Sequence, residues 1–185
     1  MAAQNSVRIV GGEWRRRVLR FPDSEGLRPT PDRVRETLFN WLGQDMDGQT
    51  CLDLFAGSGA LGFEAASRGA DRVVLVEKEP KVASLLQENA KMLQAAPRVE
   101  IVKGDGLQYL TSTTVKFDVI FLDPPFKKGW LDRIIPLLPR VLKEDGALYI
   151  EAENKIEALP PPLADWHVVR SGKAGEVHYH LLRQT

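Results

Sequence analysis

The sequence predicts an α/β fold, a doubly wound sheet of five parallel strands closed by a terminal antiparallel β-hairpin, with a short β-hairpin and helix in front. Three observations carry that reading. From Thr50 onward, short β-branched runs alternate with longer helical stretches. The runs are almost continuously apolar, as strands buried on both faces of a parallel sheet require, and their alternation with helices gives right-handed crossovers. Near the end the rhythm breaks. WHVVRSGKAGEVHYHLL holds two apolar runs around a Gly-bearing turn, with no helix between them.

Taken in order, VRIVGGEWRRRVLRF reads as a hairpin around the turn signal Gly11-Gly12. After a Pro-bearing loop, Thr30 is expected to cap a helix with Pro31 at its first position. Val34, Leu38, Trp41 and Leu42 recur at helical spacing, so the helix should span 31–43. Strands are expected at 51–56, 72–77, 99–104, 117–123 and 146–152, with helices at 60–69, 79–95, about 106–113 and 130–142. A chain of 185 residues suits one domain, here a 1–45 extension on a 46–185 core.

Composition narrows the class. The 43% hydrophobic and 27% charged residues are ordinary for a globular protein, and no apolar run is long enough to span a bilayer. MAAQNSVRIVGG lacks the apolar centre of a signal peptide. The single cysteine, Cys51, excludes an internal disulfide and reads as a small core residue. The cytoplasm is the expected compartment. Net charge is zero, but residues 1–22 carry five arginines against Glu13, a local +4 that leaves −4 on the remainder. Arg15, Arg16 and Arg17 therefore read either as a solvated strand edge that discourages aggregation or as a phosphate-binding surface.

The first strand of the core runs into DLFAGSGALG, in which Gly57, Gly59 and Gly62 have the spacing G-x-G-x-x-G. At a strand-to-helix turn such glycines permit a tight backbone and close approach of a ligand. The spacing alone is weak evidence. Here it follows a strand, opens a helix and is joined by Glu77 at the end of the next strand, where a carboxylate can accept both hydroxyls of an adenosine ribose. Asp53 suits an ammonium or a water bound to one, which favours S-adenosylmethionine over a dinucleotide. Asp105 is placed for an adenine amino group, or as the N-cap of the helix beginning near Gly106.

The fourth strand exits through Asp123-Pro124-Pro125-Phe126. Proline removes backbone donors and stiffens the chain, so the Asp123 carboxylate and the Pro124 carbonyl can converge on one small polar group. An exocyclic amino group fits, having two hydrogens to donate. Its nitrogen gains positive charge as it attacks a methyl carbon, so a fixed carboxylate stabilises the transition state more than the ground state. Phe126 offers a ring for base stacking, worth about 1–3 kcal/mol. A stacked base would have to be turned out to reach this pocket.

These motifs together resemble the amino-methyltransferase branch of the class I methyltransferases. RIVGGEWRRRVL and LRPTPDRVRETLFNWL are more specific and resemble the RsmD family of bacterial ribosomal RNA methyltransferases. The resemblance covers nearly the whole chain. It implies methylation of the N2 of a guanine in 16S rRNA, on the small subunit or its assembly intermediate, with S-adenosylmethionine as cofactor and contacts from ribosomal protein. It places Arg28, Pro29 and Thr30 in a segment closing over the methionine part of the cofactor, and brings Arg15–Arg17 to RNA phosphates. The expected catalytic set is Asp123, Pro124 and Phe126. The cofactor set is Asp53, Phe55, Gly57, Gly59, Glu77, Lys78, Asp105, Gly106, Arg28 and Thr30, and Lys127 and Lys128 join the arginines at RNA. Arg33 and Arg35 are read as solvated or paired with Glu36.

No metal is expected: His167, His178 and His180 are the only histidines and no cysteine pair accompanies them. Trp14, Trp41, Trp130 and Trp166 are expected to fill the core or cover hairpins. Pro160-Pro161-Pro162 reads as a stiff connector. A monomer without a membrane partner is expected. The competing readings are a DNA adenine-N6 or cytosine-N4 methyltransferase, a silent RNA-binding assembly factor and a nicotinamide enzyme.

Overall fold

The computed structural model describes residues 5–126 and 128–184. The strands β1 (Asn5–Arg8) and β2 (Val18–Phe21) form a two-stranded antiparallel sheet of their own. Helix α1 (Asp32–Leu42) follows and ends at Gly43, whose φ of 100° no helix can continue. The core then alternates as β3 (Thr50–Asp53), α2 (Ala60–Ser67), β4 (Arg72–Glu77), α3 (Pro80–Met92), β5 (Val99–Lys103), α4 (Gly106–Ser112) and β6 (Phe117–Leu122). It continues through α5 (Trp130–Ile134), β7 (Leu142–Ala152), β8 (Trp166–Ala174) and β9 (Val177–Gln184).

The seven core strands lie in the order β5-β4-β3-β6-β7-β9-β8. β3 to β7 are parallel, whereas β9 is antiparallel to β7 and to β8. This is the Rossmann-like class I methyltransferase arrangement. The chain leaves β3 toward one edge and returns through β6 toward the other, so a crevice opens outside the carboxyl ends of these strands.

Alternation of side chains divides the core in two. Cys51, Val73, Leu75, Phe121 and Tyr149 face α1, α2 and α3, where Leu38, Phe39, Phe63 and Leu86 meet them. Leu52, Val74, Val76, Ile120 and Ile150 face the other way, onto Leu110, Ile134, Leu138 and Trp166.

Three expectations are corrected. The helix expected at 130–142 stops after five residues and becomes a 3-10 turn over Ile135–Arg140. Pro136 and Pro139 supply no N–H and cannot continue an α-helical ladder. Thr30 does not cap α1, which starts after Pro31 without a side-chain cap; its hydroxyl goes to Glu151 instead. Arg35 is neither solvated nor paired with Glu36. It is fully buried and binds Glu64 at 2.8 Å.

That ion pair fastens the N-terminal hairpin to the core. Glu64 is 0% exposed and accepts from Val10 N, Gly11 N, Arg35 Nη1 and Arg68 Nε, all at 2.8–2.9 Å. Arg35 also donates to the carbonyls of Arg8 and Thr30 and meets Asp32. Farther along, Glu13 N donates to the Ser67 carbonyl, Arg98 lies over the Trp14 ring, and Arg17 reaches the Met92 carbonyl at 3.4 Å. Arg15 and Arg16 thus lie in an exposed turn at the C-terminal ends of α2 and α3, not on a strand edge.

Candidate active site

The loop from β3 to α2 is shaped by its glycines. Gly57 and Gly59 adopt φ of +54° and +80°, a left-handed backbone that side chains disfavour. A Cβ on Gly57 would fall 2.7 Å from Leu27 Cδ1, so the loop after β2 packs directly on the glycine turn. A Cβ on Gly62 would fall 2.9 Å from Leu75 Cγ, which makes that glycine the contact between α2 and the sheet.

Glu77, at the end of β4, holds this turn from the other side. Its Oε1 accepts from Gly57 N at 3.0 Å and its Oε2 from Glu79 N at 2.8 Å. Each oxygen can accept one further hydrogen bond, and the neighbouring Lys78 is exposed. Asp105 caps α4, with Oδ1 accepting from Leu107 N and Gln108 N, and Gly106 is buried behind it. The capping role is therefore real, and Oδ2 takes no hydrogen bond from the described residues. Phe55 packs edge-on against Trp130, their ring centroids 5.5 Å apart.

Asp53 is 2% exposed, and Oδ2 accepts from Gly62 N at 3.0 Å. Burial pushes its carboxyl up to about 7, the Gly62 hydrogen bond opposes this, and the charges of Glu77 and Glu151 add to it. Asp123 follows β6 on the same face of the sheet. Burial first, and then the charges of Glu151 and Asp53, raise its carboxyl well above the usual carboxylate range. No described residue donates a hydrogen bond to it. Pro124 is buried behind it, and Phe126 is 39% exposed at the rim.

Glu151 was not foreseen. It is buried near the end of β7, where Oε2 accepts from Thr30 Oγ1 at 2.6 Å and Tyr149 Oη at 3.0 Å. Burial raises its carboxyl, and these two bonds oppose the rise. A signal was available: an acid in the apolar strand GALYIEA sits beside the exit of the DPPF strand.

Three carboxyl groups thus converge from β3, β6 and β7. A ligand bringing a ribose diol, an ammonium and a sulfonium suits this donor set: the diol matches Glu77, and cationic groups offset the buried acids. The parts of the expected site are not all together. Arg28 is exposed on the loop that reaches the glycine turn, and Lys128 is exposed beyond DPPF. Arg15–Arg17 lie at the opposite end of the sheet from the crevice. Lys127 is outside the described residues. Among the described residues no group of acids, histidines and cysteines could hold a metal ion, and no helix is long and apolar enough to cross a membrane.

Comparison with known proteins places the chain in a family. The family described as Conserved hypothetical protein 95 matches residues 7–183. The Escherichia coli (strain K12) protein named Ribosomal RNA small subunit methyltransferase D is 41% identical, over 99% of this chain and 92% of that protein. Its namesake from Haemophilus influenzae is also 41% identical, over 97% and 94%. A solved structure of Escherichia coli yhhF superposes with a TM-score of 0.84 at 40% identity, covering 97% of this chain and 98% of that one. A match across nearly the full length, joined to the glycine turn and the DPPF exit, assigns the chain to that family, the RsmD family of S-adenosylmethionine-dependent methyltransferases.

Proposed function

We propose that this protein methylates the exocyclic N2 of a guanine in 16S rRNA, within the small ribosomal subunit or its assembly intermediate. Methylation of small-subunit rRNA is the activity in the names of its curated relatives. The choice of guanine N2 rests on the pocket and on the family resemblance. The carrying observation is the Asp123 carboxyl, set at the exit of β6 beside Glu151 of β7 and without a hydrogen-bond donor among the described residues.

When bound, S-adenosylmethionine supplies a methyl carbon made electrophilic by its sulfonium. Asp53, Phe55, the Gly57–Gly59 turn, Glu77, Lys78, Asp105 and Gly106 hold that cofactor, under the loop carrying Arg28 and Thr30. Asp123 and the Pro124 carbonyl accept the two amino hydrogens and turn the nitrogen toward the methyl group. Positive charge then develops beside a fixed carboxylate. The N–H proton is lost as the N–C bond forms and the methyl–sulfur bond breaks to leave a neutral thioether, and the Asp123 carboxylate is the acceptor already bonded to that hydrogen. Phe126 stacks on the everted base at the rim.

Arg15–Arg17, with Lys127 and Lys128, meet RNA phosphates. The arginine turn and the crevice are separated by roughly the 17–20 Å length of a strand, a span that a folded RNA covers and a mononucleotide does not. The protein works as a single-domain cytoplasmic monomer, and ribosomal protein helps to present the base.

Incubating the protein with radiolabelled cofactor and small subunits, then separating the nucleosides, should yield N2-methylguanosine. Label only in adenine or cytosine refutes the assignment and favours the DNA-type amino-methyltransferase chemistry. Asp123→Ala should abolish transfer, a fall of at least about 10²-fold, while leaving cofactor affinity within about twofold. Loss of cofactor binding in that variant removes Asp123 from the acceptor role.

A further inference from the structure

We infer that Glu151 selects guanine, its carboxylate accepting the ring N1–H beside the amino group that is methylated. The inference rests on the guanine reading above. Leu122 and Ile150 are paired across β6 and β7, so Asp123 and Glu151 occupy the next rung of neighbouring parallel strands. Such strands lie about 4.8 Å apart. Phe121 and Tyr149, two residues earlier, touch on the same face with centroids 6.2 Å apart. Two acceptor groups are therefore carried side by side on the crevice face.

The hydrogen bonds of Glu151 are unevenly shared. Thr30 and Tyr149 both donate to Oε2, which fixes the side chain, while Oε1 takes none from the described residues. Oε1 is not sealed in the core either, since among the described residues Trp130 Nε1 is the one buried side-chain polar atom without a partner. A held carboxylate with one oxygen free suits a single directed hydrogen bond.

Base chemistry then discriminates. On its Watson–Crick edge guanine presents adjacent donors, N1–H and the N2 amino group. Adenine sets its amino group beside an N1 lone pair, and cytosine sets its amino group beside an N3 lone pair. A carboxylate next to the amino-binding Asp123 bonds the first and repels the other two. A site built around a substrate donor rejects an analogue lacking it, because its own buried acceptor is left unpaired.

The test uses small subunits reconstituted with rRNA carrying guanine or 2-aminopurine at the position the enzyme methylates. 2-Aminopurine keeps the amino group and has a lone pair at N1. Wild-type kcat/KM should fall at least about tenfold on 2-aminopurine. In Glu151→Gln the amide can turn an N–H toward that lone pair while its oxygen still serves Thr30 and Tyr149. The guanine preference should then shrink by about tenfold. If Glu151 only braces the Thr30 loop, both substrates slow together and the ratio is unchanged, which overturns the inference. Equal wild-type rates on the two bases overturn it without any variant. Failure to methylate guanine-bearing subunits at all refutes the guanine reading itself, and this inference with it.

Discussion

Replacing Glu64 by alanine should separate the N-terminal hairpin from the core at a measurable cost. The carboxylate is fully buried and accepts four hydrogen bonds, two from backbone N–H groups and two from arginines. Its removal leaves the buried Arg35 guanidinium without its principal counter-charge. Breaking a buried pair from one side costs about 3–5 kcal/mol. Each orphaned backbone donor adds about 1–3 kcal/mol before relaxation. These contributions overlap, so about 4 kcal/mol is the expected net loss. With an m-value of about 2 kcal/mol/M, the urea midpoint falls by about 2 M. The double variant Arg35→Met, Glu64→Leu should lose less than Glu64→Ala alone, because it leaves no uncompensated charge. Equilibrium urea unfolding followed by circular dichroism measures all three proteins. A midpoint for Glu64→Ala within about 0.3 M of wild type would show that the network contributes nothing.

Other expectations concern pH and salt. Asp53, pushed up to about 7 in the ligand-free fold, is protonated below that value and ionised above it. Binding of a cationic cofactor should therefore strengthen as pH rises through 7, with proton uptake or release followed by calorimetry in buffers of different ionisation heat; Asp53→Asn should flatten the dependence. The same raised value means that Asp53 favours the ligand-free fold most below its ordinary 3.8, a contribution lost as pH rises through about 7. His180 acts in the opposite sense. Its Nδ1 donates to the Ile150 carbonyl, its Nε2 accepts from Ile156 N, and burial lowers its pKa below 6.5. Its contribution is present above pH 6.5 and is lost as pH falls through the lowered value. His180→Phe should cost about 1–3 kcal/mol at neutral pH by orphaning Ile156 N–H, and remove that acid dependence from thermal unfolding curves. Changing Arg15–Arg17 together to alanine should weaken RNA binding and flatten the plot of log K against log salt, by about 0.7 for each single-strand phosphate that the arginines had neutralised. Parallel plots for mutant and parent would take these arginines out of the interface.

What could be read from the sequence was local. The parallel strands announce themselves by unbroken apolar runs, and the glycine turn and DPPF exit each occupy fewer than about a dozen adjacent residues. Tertiary partners were what failed to show. Thr30 followed by Pro31 carries a helix-cap signal, yet its hydroxyl serves Glu151, a residue 121 positions away. Arg35 looks like a surface cation on an amphipathic helix, but its partner is 29 positions on, inside a helix that is buried all round. The helix expected at 130–142 is different, since Pro136 and Pro139 stand in plain view within it. Spacing reports which face is apolar and leaves open whether the backbone can keep its ladder.

The order of the last two strands constrains how the molecule is assembled. β9 follows β8 in the chain but lies between it and β7. β8 therefore has no berth on the sheet until its successor has formed, and the two must arrive as a preformed ribbon or in reverse of their synthesis. Tyr179, on the late-arriving strand, is the residue that pairs with Glu151 and stacks on Trp41 of the first helix. The wall behind Glu151 is thus completed only when β9 meets α1.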